Sequence, residues 1–368
     1  MYKVLSRIFS LIVVVSMLFI TVSCENISYI INEKTNIPDK NSFEEIQKKL
    51  NDYLDKNYKD KFSGSILISA YGKVLFSKGY GMADYDNGIP NTPNTSFDIA
   101  SLKKQFTAMG IMILSEKGLL DVSDKINKFI PEIDCGDKIT VHQLLTNSSG
   151  ITNKIYDDIS LNMKKSSTTK DIIQALKGKK INLEYEPGRS FSYCNINYTF
   201  LEYIIEKVSK KSYQDFITGN ILQPLNMDES GFCNDAIDEN HAVGYMDLNP
   251  IAVRATDSKD IVNDAQGGMY SSVEDMFKWD QALYSEKLVK LKTLGAIFKS
   301  YKGGYGYGWF IGSDNDGIVA DYKGKADGFS AYIKRNTAKR QLIVILNNYA
   351  NYDSELLIHD IESMLNQF

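Results

Sequence analysis

Two pairs of short apolar segments, one near each end of this 368-residue chain, constrain its fold more than any other feature of the sequence. Near the N-terminus, residues 64–70 and 74–76 flank Tyr71-Gly72-Lys73, a pattern that predicts two antiparallel strands joined by a tight turn. Near the C-terminus, residues 330–334 and 341–346 form a second hairpin pattern. The sequence therefore predicts one antiparallel sheet to which both chain ends contribute strands.

Helical patterns account for most of the remaining chain. After Ser42, a candidate N-cap, apolar residues recur at helical spacing at Phe43, Ile46, Leu50 and Leu54. A C-terminal helix is predicted from the apolar residues Leu356, Leu357, Ile361 and Leu365. Helical patterns also dominate the middle of the chain, roughly residues 106–289. We therefore expect an α+β fold in which terminal helices flank the sheet and a mainly helical region is inserted between its halves.

Composition excludes several classes of protein. Charged residues make up 24% of the chain and hydrophobic residues 43%, as in ordinary soluble globular proteins, and a net charge of -4 provides no basic surface for nucleic acid. The three histidines lie far apart without the paired spacing of metal ligands, so we predict no metal site and no cofactor. Each histidine is expected to be a surface or helix residue: His142, His241 and His359.

The N-terminus has the pattern of an export signal. Lys3 and Arg7 precede an apolar run over residues 8–22, which is too short for a typical membrane span and is soon followed by Cys24. This segment resembles a bacterial lipoprotein signal, which implies that residues 1–24 are a signal peptide of the lipoprotein type and that its cysteine is lipidated. A simple cleaved peptide and an uncleaved anchor are the alternatives. In each case the folded part lies outside the cytoplasm.

The polar segment that follows separates this signal from the folded part. Residues 25–42 are predicted to be a tether, and residues 43–368 are predicted to form a single folded domain. The remaining cysteines are odd in number and lack the spacing of a disulfide framework, so no structural disulfide is predicted among Cys135, Cys194 and Cys233.

The first candidate for chemistry is an SxxK motif, Ser101-Leu102-Lys103-Lys104, which leads into the apolar run of residues 106–114. Residues three apart lie on one face of a helix, so a serine in the first turn would have Lys104 within hydrogen-bonding reach. A serine nucleophile needs such an adjacent base, and the helix dipole favours the negative charge that develops there. A second SxxK, from Ser167 to Lys170, has instead the pattern of a helix N-cap.

The second candidate is the segment of residues 187–198. A proline and a glycine indicate a loop there, and the apolar run that begins at Phe200 starts a helix, which places Tyr193 and Asn195 on the connecting bend. Side chains on such a bend can point into a cleft. A lysine ammonium close to a tyrosine favours the phenolate, which makes the tyrosine usable as a base or an acid.

Three motifs, in this order along the chain, resemble those of the serine β-lactamase and penicillin-binding-protein superfamily: SxxK at 101–104, YxN at 193–195 and a glycine-rich strand start at 321–332. The chain is most similar to the branch of class C β-lactamases, DD-carboxypeptidases and related esterases, because YxN replaces the SxN of other branches. Segments 141–150 and 265–272 are also typical of that branch. The resemblance extends from about Phe43 to the C-terminus and implies a β-lactamase/transpeptidase-like fold.

The resemblance implies a role for each matched residue. Ser101 would be the acylated nucleophile, Lys104 its amine partner, and Tyr193 the group that moves protons to and from the leaving atom. Asn195 would hydrogen-bond the substrate amide. The backbone amides of Ser101 and Lys325 would form the oxyanion hole, an element that needs no particular side chains.

The third motif departs from the family pattern. The family has Lys or His, then any residue, then Gly, whereas this chain has Tyr322-Lys323-Gly324 on the edge strand. Lys323 cannot replace the missing cation, because side chains alternate across a strand and it points away from the face shared by Tyr322 and Gly324. A hydrogen bond to a charged group contributes roughly 1.5–3 kcal/mol. We therefore expect Tyr322 to contribute a neutral hydrogen bond to the substrate and to disfavour efficient β-lactam hydrolysis.

Together these features predict an exported serine hydrolase, lipid-anchored on the outer side of the bacterial cell membrane, that forms an acyl-enzyme on an amide or ester. The expected substrates are a peptidoglycan stem peptide, a β-lactam or a small ester. The alternative is a catalytically weak cell-envelope protein of the same fold that binds a peptide or senses β-lactams. Ser101, Lys104 and Tyr193 favour the enzyme, whereas Tyr322 favours the alternative.

Overall fold

A computed structural model describes residues 37–155, 168–233, 240–248, 252–255, 268–314, 317–350 and 352–367. The signal segment with Cys24, most of the tether, and Ser167 of the second SxxK lie outside these residues. Among the helices that are described, none combines the length and the apolar character needed to cross a lipid bilayer.

The strands and helices of the described residues follow the α+β pattern. The strands are β1 Gly64–Ala70, β2 Lys73–Tyr80, β3 Met82–Asp84, β4 Ile89–Pro90, β5 Phe97–Asp98, β6 Gly231–Phe232, β7 Tyr245–Asp247, β8 Val253–Arg254, β9 Met269–Ser271, β10 Phe310–Ser313, β11 Ile318–Ala326, β12 Phe329–Asn336 and β13 Gln341–Asn347. The α-helices are α1 Lys40–Tyr58, α2 Lys103–Glu116, α3 Val141–Leu145, α4 Thr169–Leu176, α5 Asn195–Ser209, α6 Tyr213–Ile217, α7 Gln223–Leu225, α8 Val273–Ala282, α9 Leu291–Ile297 and α10 Glu355–Leu365.

The main sheet joins the two chain ends, which confirms the prediction from the two hairpins. Its strand order is β10-β11-β12-β13-β1-β2, and all neighbours are antiparallel. Strand β1, from the N-terminal half, pairs with β13, the last strand of the chain, with Gly64 opposite Asn347 and Ser69 opposite Leu342. Both predicted hairpins are present with slightly longer strands than the sequence indicates.

The two faces of the sheet are buried against different groups of helices. Along β13, Ile343 and Ile345 pack into the core formed with α1 and α10, whereas Leu342, Val344 and Leu346 pack into the core formed with the inserted helices. This alternation follows from the two-residue period of a strand. Leu356, predicted on the apolar side of α10, is instead 65% exposed, while Leu357 beside it is fully buried.

Two predicted boundaries were wrong, and the inserted region contributes short strands as well as helices. Helix α1 begins at Lys40 rather than after Ser42, because Asp39 is the N-cap and its Oδ1 accepts a hydrogen bond from the Ser42 amide at 2.8 Å. Helix α2 begins at Lys103, ahead of the predicted insertion boundary. The insertion also contributes β6 and β9 to a small sheet, β5-β9-β6, and contains a two-stranded sheet, β7-β8. Strands of two or three residues carry too little periodicity to be recognised in the sequence.

Candidate active site

Ser101 lies in a strained turn directly before α2. The turn is a 3₁₀ segment, Ala100–Leu102, and Ala100 has a φ of +47°, a left-handed conformation that alanine rarely adopts. Asp98 supports it, since its Oδ1 accepts a hydrogen bond from the Ala100 amide at 2.7 Å. Burial raises the pKa of Asp98 to about 6. Strand β5, which precedes the turn, pairs with β9. The position of the serine therefore depends on tertiary contacts as well as on the local sequence.

Strand β11 packs closely against this turn. A Cβ on Gly324 would lie 2.8 Å from the carbonyl oxygen of Ile99 and 3.1 Å from the amide nitrogen of Ser101, so that only glycine fits. Strand β10 pairs with residues 318–321 of β11. The part of β11 from Tyr322 onward therefore lies beside the serine turn. The amide of Ser101 therefore lies against β11 at Gly324, and the role of the amides of Ser101 and Lys325 as an oxyanion hole stays a prediction.

The hydroxyl of Ser101 contacts both predicted proton-transfer groups. Its Oγ lies 3.2 Å from Lys104 Nζ and 3.1 Å from the phenol oxygen of Tyr193. Lys104 is 1% exposed, and its Nζ lies 5.2 Å from the centre of the Tyr193 ring. The structure thus brings Ser101, Lys104 and Tyr193 together, although 92 residues separate the serine from the tyrosine.

The electrostatic surroundings of Tyr193 favour its phenolate. Burial alone would raise the pKa of Tyr193, but the positive charge of Lys104 and hydrogen bonds from Lys104, Ser101 and Tyr322 outweigh burial and lower it. A tyrosine whose pKa is lowered can accept a proton from a serine hydroxyl and later return it.

Asparagines from a neighbouring loop hold the segment around Tyr193. Asn153 bonds it on both sides, since its Nδ2 donates to the Tyr193 carbonyl at 2.8 Å and its Oδ1 accepts from the Asn195 amide at 3.0 Å. Asn147 Oδ1 accepts from the amide of Cys194 at 3.2 Å and from Asn197 Nδ2 at 2.8 Å. Sequence reasoning matched residues 141–150 to the family but missed this positioning role, for which the repeated asparagines were the available signal.

Asn195 lies at a different point from the one predicted. It is the first residue of α5 rather than part of the bend, because Cys194 occupies the N-cap. Its side-chain Oδ1 is buried and has no hydrogen-bond partner within the described part of the chain. An acceptor left in this way beside Tyr193 is suited to a substrate N–H group, which agrees with the role that the resemblance implies.

Tyr322 and Lys323 point in opposite directions, as the strand alternation predicts. Lys323 forms an ion pair with Glu355 of α10, on the far face of the sheet. Tyr322 faces the site, is 2% exposed, and its hydroxyl lies 3.2 Å from the hydroxyl of Tyr305. Burial raises the pKa of Tyr322 well above its usual value, so the phenol is neutral. The place of the family's cation is therefore occupied by an uncharged hydrogen-bonding group.

An aromatic cluster surrounds Tyr322, and sequence reasoning missed it. The ring of Phe310 lies 5.5 Å from that of Tyr322 and 4.9 Å from that of Tyr305, and Phe191 packs 5.4 Å from Tyr305. These rings come from three separate parts of the chain. A glycine in the same segment, Gly308, has a φ of +78°, and a Cβ there would lie 2.7 Å from the Lys104 carbonyl.

The other candidate residues lie away from this cluster. The second SxxK leads into α4, whose N-cap is Thr168, while Ser167 is outside the described residues. The prediction for His241 was wrong, because it is neither on a helix nor freely exposed: its ring packs 5.2 Å from that of Tyr270 and contacts Ser96 Oγ at 3.1 Å. Burial lowers the pKa of His241 to about 4. Within the described ranges, no group of three or more His, Cys, Asp or Glu could hold a metal ion.

A serine, a lysine and a tyrosine arranged in this way beside strand β11, next to the edge strand of an antiparallel sheet, form a site of the serine β-lactamase type. A family model described as Beta-lactamase matches residues 52–360, and the chain belongs to this family.

Individual relatives support the same assignment. The chain is 31% identical over 331 residues to protein flp of Staphylococcus aureus, and the match covers 83% of this chain and 66% of that protein. An octameric penicillin-binding protein homologue from Pyrococcus abyssi has a TM-score of 0.73 at 29% identity, covering 88% of this chain and 77% of that one. A class C β-lactamase has a TM-score of 0.71 at 22% identity, covers 90% and 98% of the two chains, and shows that the fold is shared. The predicted fold class and superfamily are thus confirmed.

Proposed function

We propose that this protein hydrolyses an ester or amide through an acyl-enzyme on Ser101. The observation that carries the proposal is the simultaneous contact of Ser101 Oγ with Lys104 Nζ at 3.2 Å and with the Tyr193 phenol at 3.1 Å. The lowered pKa of Tyr193 and the buried, unpaired Oδ1 of Asn195 support it.

Each proton in the proposed reaction has a named acceptor. Ser101 Oγ bonds to the acyl carbon as its proton passes to the Tyr193 phenolate, and the amides of Ser101 and Lys325 stabilise the oxyanion. When the bond to the leaving atom breaks, Tyr193 gives that proton to the leaving atom. A water then adds to the acyl carbon, transferring its proton to Tyr193, and Ser101 regains a proton as the acid is released. Lys104 keeps Tyr193 ready for both proton transfers.

The substrate class follows from the relatives and from Tyr322. A penicillin-binding protein homologue and a class C β-lactamase are among the solved structures similar to this chain, which supports peptidoglycan stem peptides and β-lactams as substrates. The buried neutral Tyr322 in place of a cation supports small esters and substrates without a carboxylate on that side. We also propose that the protein is exported and anchored through a lipid on Cys24.

A second candidate function rests on the same residue. A cell-envelope protein that binds a peptide or senses β-lactams, without efficient turnover, would retain the cleft while lacking the cation that Tyr322 replaces. Such a protein would keep its ligand without forming a stable bond to Ser101, or would be acylated once and not recover.

The test is to treat the purified full-length chain with a fluorophosphonate and with a fluorescent penicillin, and to locate any adduct by peptide mass spectrometry. We expect the adduct on Ser101 and its loss in Ser101→Ala, with unchanged circular dichroism. Ser167→Ala is the matched control and should be labelled like the wild type. An adduct on Ser167 would contradict the assignment of the nucleophile, and reversible binding without any adduct would favour the second candidate.

A further inference from the structure

A buried ion pair joins α2 to α5, the two helices that begin at the candidate active site. Lys103 Nζ lies 2.8 Å from Glu202 Oε1, and the two side chains are only 3% and 1% exposed. Lys103 is the first residue of α2 and directly precedes Lys104. Glu202 lies in α5, which begins shortly after Tyr193. The pair therefore links the helix that carries Lys104 to the helix that follows Tyr193.

The geometry of α5 aligns Glu202 with the active-site end of the helix. Glu202 follows Asn195, the first residue of α5, by close to two helical turns, so both residues lie on one face of the helix. The rise of an α-helix separates them by about 10 Å along this face. An ion pair at this point restrains both the rotation and the sliding of α5 against α2.

The surroundings of the Lys103 ammonium hold it in place. It lies 4.9 Å from the centre of the Tyr213 ring of α6, which is itself buried. The Tyr213 hydroxyl lies 2.8 Å from Thr107 Oγ1, one turn along α2, and Thr107 Oγ1 donates to the Lys103 carbonyl at 3.3 Å. One face of α2 therefore positions both the lysine and the ring against which its ammonium rests.

Stability alone does not account for two charges at this position. Replacing a buried ion pair by apolar residues of similar volume is often neutral or stabilising. The same two helices also make a close apolar contact, since a Cβ on Gly110 of α2 would lie 3.0 Å from Ile205 Cδ1 of α5. Apolar contacts are not directional, whereas a charge-assisted hydrogen bond is satisfied at one separation and orientation. The ion pair can thus specify an alignment of the helices that apolar packing leaves open.

We propose that Lys103 and Glu202 are positioning residues, which keep the Tyr193 phenol within hydrogen-bonding distance of the serine hydroxyl. The contact of Ser101 with Lys104, at 3.2 Å, lies within one short stretch of chain, whereas its contact with Tyr193, at 3.1 Å, joins the start of α2 to the segment before α5. The ion pair acts on the second contact only. The inference rests on the proposed roles of the serine as nucleophile and the tyrosine as base.

Two double variants separate positioning from stability. The apolar variant, Lys103→Met with Glu202→Leu, leaves no unpaired charge in the interior, so we expect it to fold and to resist urea as well as the wild type does. Its kcat/KM for an uncharged nitrophenyl ester should fall about 10- to 100-fold, because a displacement of about 1 Å at the reacting groups has an effect of this size. The charged variant, Lys103→Arg with Glu202→Asp, pairs a longer base with a shorter acid and should stay within a few-fold of the wild type.

The matched control is the pair of Lys334 and Glu362, which joins β12 to α10 on the far face of the sheet. Its apolar replacement, Lys334→Met with Glu362→Leu, should leave kcat/KM within a few-fold. A role in stability alone predicts that rates follow the free energies of unfolding, so that the apolar variant keeps the wild-type rate. That result, or an equal loss of rate in the apolar and charged variants, would overturn the proposal.

Crystal structures of the full-length wild-type chain and of the apolar variant provide a readout without turnover. In the variant, we expect the distance from Ser101 Oγ to the Tyr193 phenol to exceed about 3.5 Å, while the distance from Ser101 Oγ to Lys104 Nζ stays as in the wild type. If the wild type turns over no ester or β-lactam, the proposed function fails, whereas these two distances still decide the inference. Unchanged distances in the apolar variant would contradict it.

Discussion

At the scale of single residues, the site depends on one buried cation and the phenol next to it. Lys104 is 1% exposed, and a positive charge at such a position is retained only where neighbouring groups compensate for its lost hydration. The Ser101 hydroxyl and the faces of the Tyr193 and Tyr198 rings are among those neighbours, at 5.2 and 5.6 Å from the ring centres. The same charge lowers the pKa of Tyr193 against the effect of burial. We therefore expect Lys104 and Tyr193 to act as one proton-transfer unit.

Tyr322→His tests whether the neutral phenol limits the binding of carboxylate-bearing substrates. A protonated imidazole would add a charge-assisted bond to a penicillin carboxylate, so we expect acylation by penicillins to accelerate about tenfold or more. A neutral nitrophenyl ester has no carboxylate, and its turnover should change only a few-fold. Second-order rates are compared at the pH optimum of each variant, which separates substrate binding from proton transfer at Tyr193. Equal changes on both substrates would show that Tyr322 does not select against the carboxylate.

At the scale of elements, a buried ion pair joins the sheet to the helical layer. Arg335 of β12 bonds through Nε to Asp280 Oδ1 of α8 at 2.8 Å, and both side chains are fully buried. The guanidinium lies 4.3 Å from the centre of the Tyr284 ring and 4.7 Å from that of Phe298. Burial raises the pKa of Asp280, although Arg335 opposes the shift. This pair fixes β12 and hence β11, the strand that carries Tyr322.

Removing one partner of this pair should be costly. We expect Asp280→Ala to lower the free energy of unfolding by about 3–5 kcal/mol, because Arg335 is left charged and buried without its carboxylate. Urea unfolding followed by circular dichroism measures the loss. Glu44→Ala is the matched control, since Glu44 pairs with Lys40 at 3.4 Å with side chains 62% and 88% exposed, and such surface pairs contribute little. A similar loss in both variants would mean that burial does not determine the contribution of the pair.

At the scale of the whole molecule, the sheet separates two hydrophobic cores that have different structural roles. The core with α1 and α10 joins the two chain ends, and the other core carries the serine turn, α2 and α5. The first described helix, α1, begins at Lys40 and packs together with α10 on one face of the sheet. The predicted signal segment and tether therefore lead into the helix on that face. A lipid on Cys24 would hold the domain at the membrane through the predicted tether.

Cys24→Ser tests the proposed anchor. In a bacterial host supplied with labelled fatty acid, we expect the full-length wild-type chain to incorporate the label and the Cys24→Ser chain to incorporate none. Cys135→Ser is the control, because Cys135 is 4% exposed inside the domain and should leave labelling unchanged. Labelling that persists in Cys24→Ser would show that the lipid is not attached to this residue.

The sequence by itself determined the features that depend on local periodicity and on spacing within one element. The two hairpins and the terminal helices follow from periods of two and of 3.6 residues, which are written in neighbouring residues. Ser101 and Lys104 lie close because they are three residues apart at the start of a helix. Strand alternation likewise places Tyr322 and Lys323 on opposite faces of their strand. The loop before the helix that begins near residue 200 indicated Tyr193 and Asn195, whereas the resemblance to the superfamily connected them to Ser101 and added Gly324.

Only the tertiary structure decided how residues far apart in the chain share one site. The left-handed Ala100 and the carboxyl of Asp98 that supports it depend on the pairing of β5 with β9, which contributes too few residues to leave a pattern. The asparagines around Tyr193 join segments separated by tens of residues. Their hydrogen bonds are specified by distance and direction in space, and burial makes them strong by excluding water. Neither quantity can be read from the order of residues, because both arise when the sheet and the helical insertion pack together.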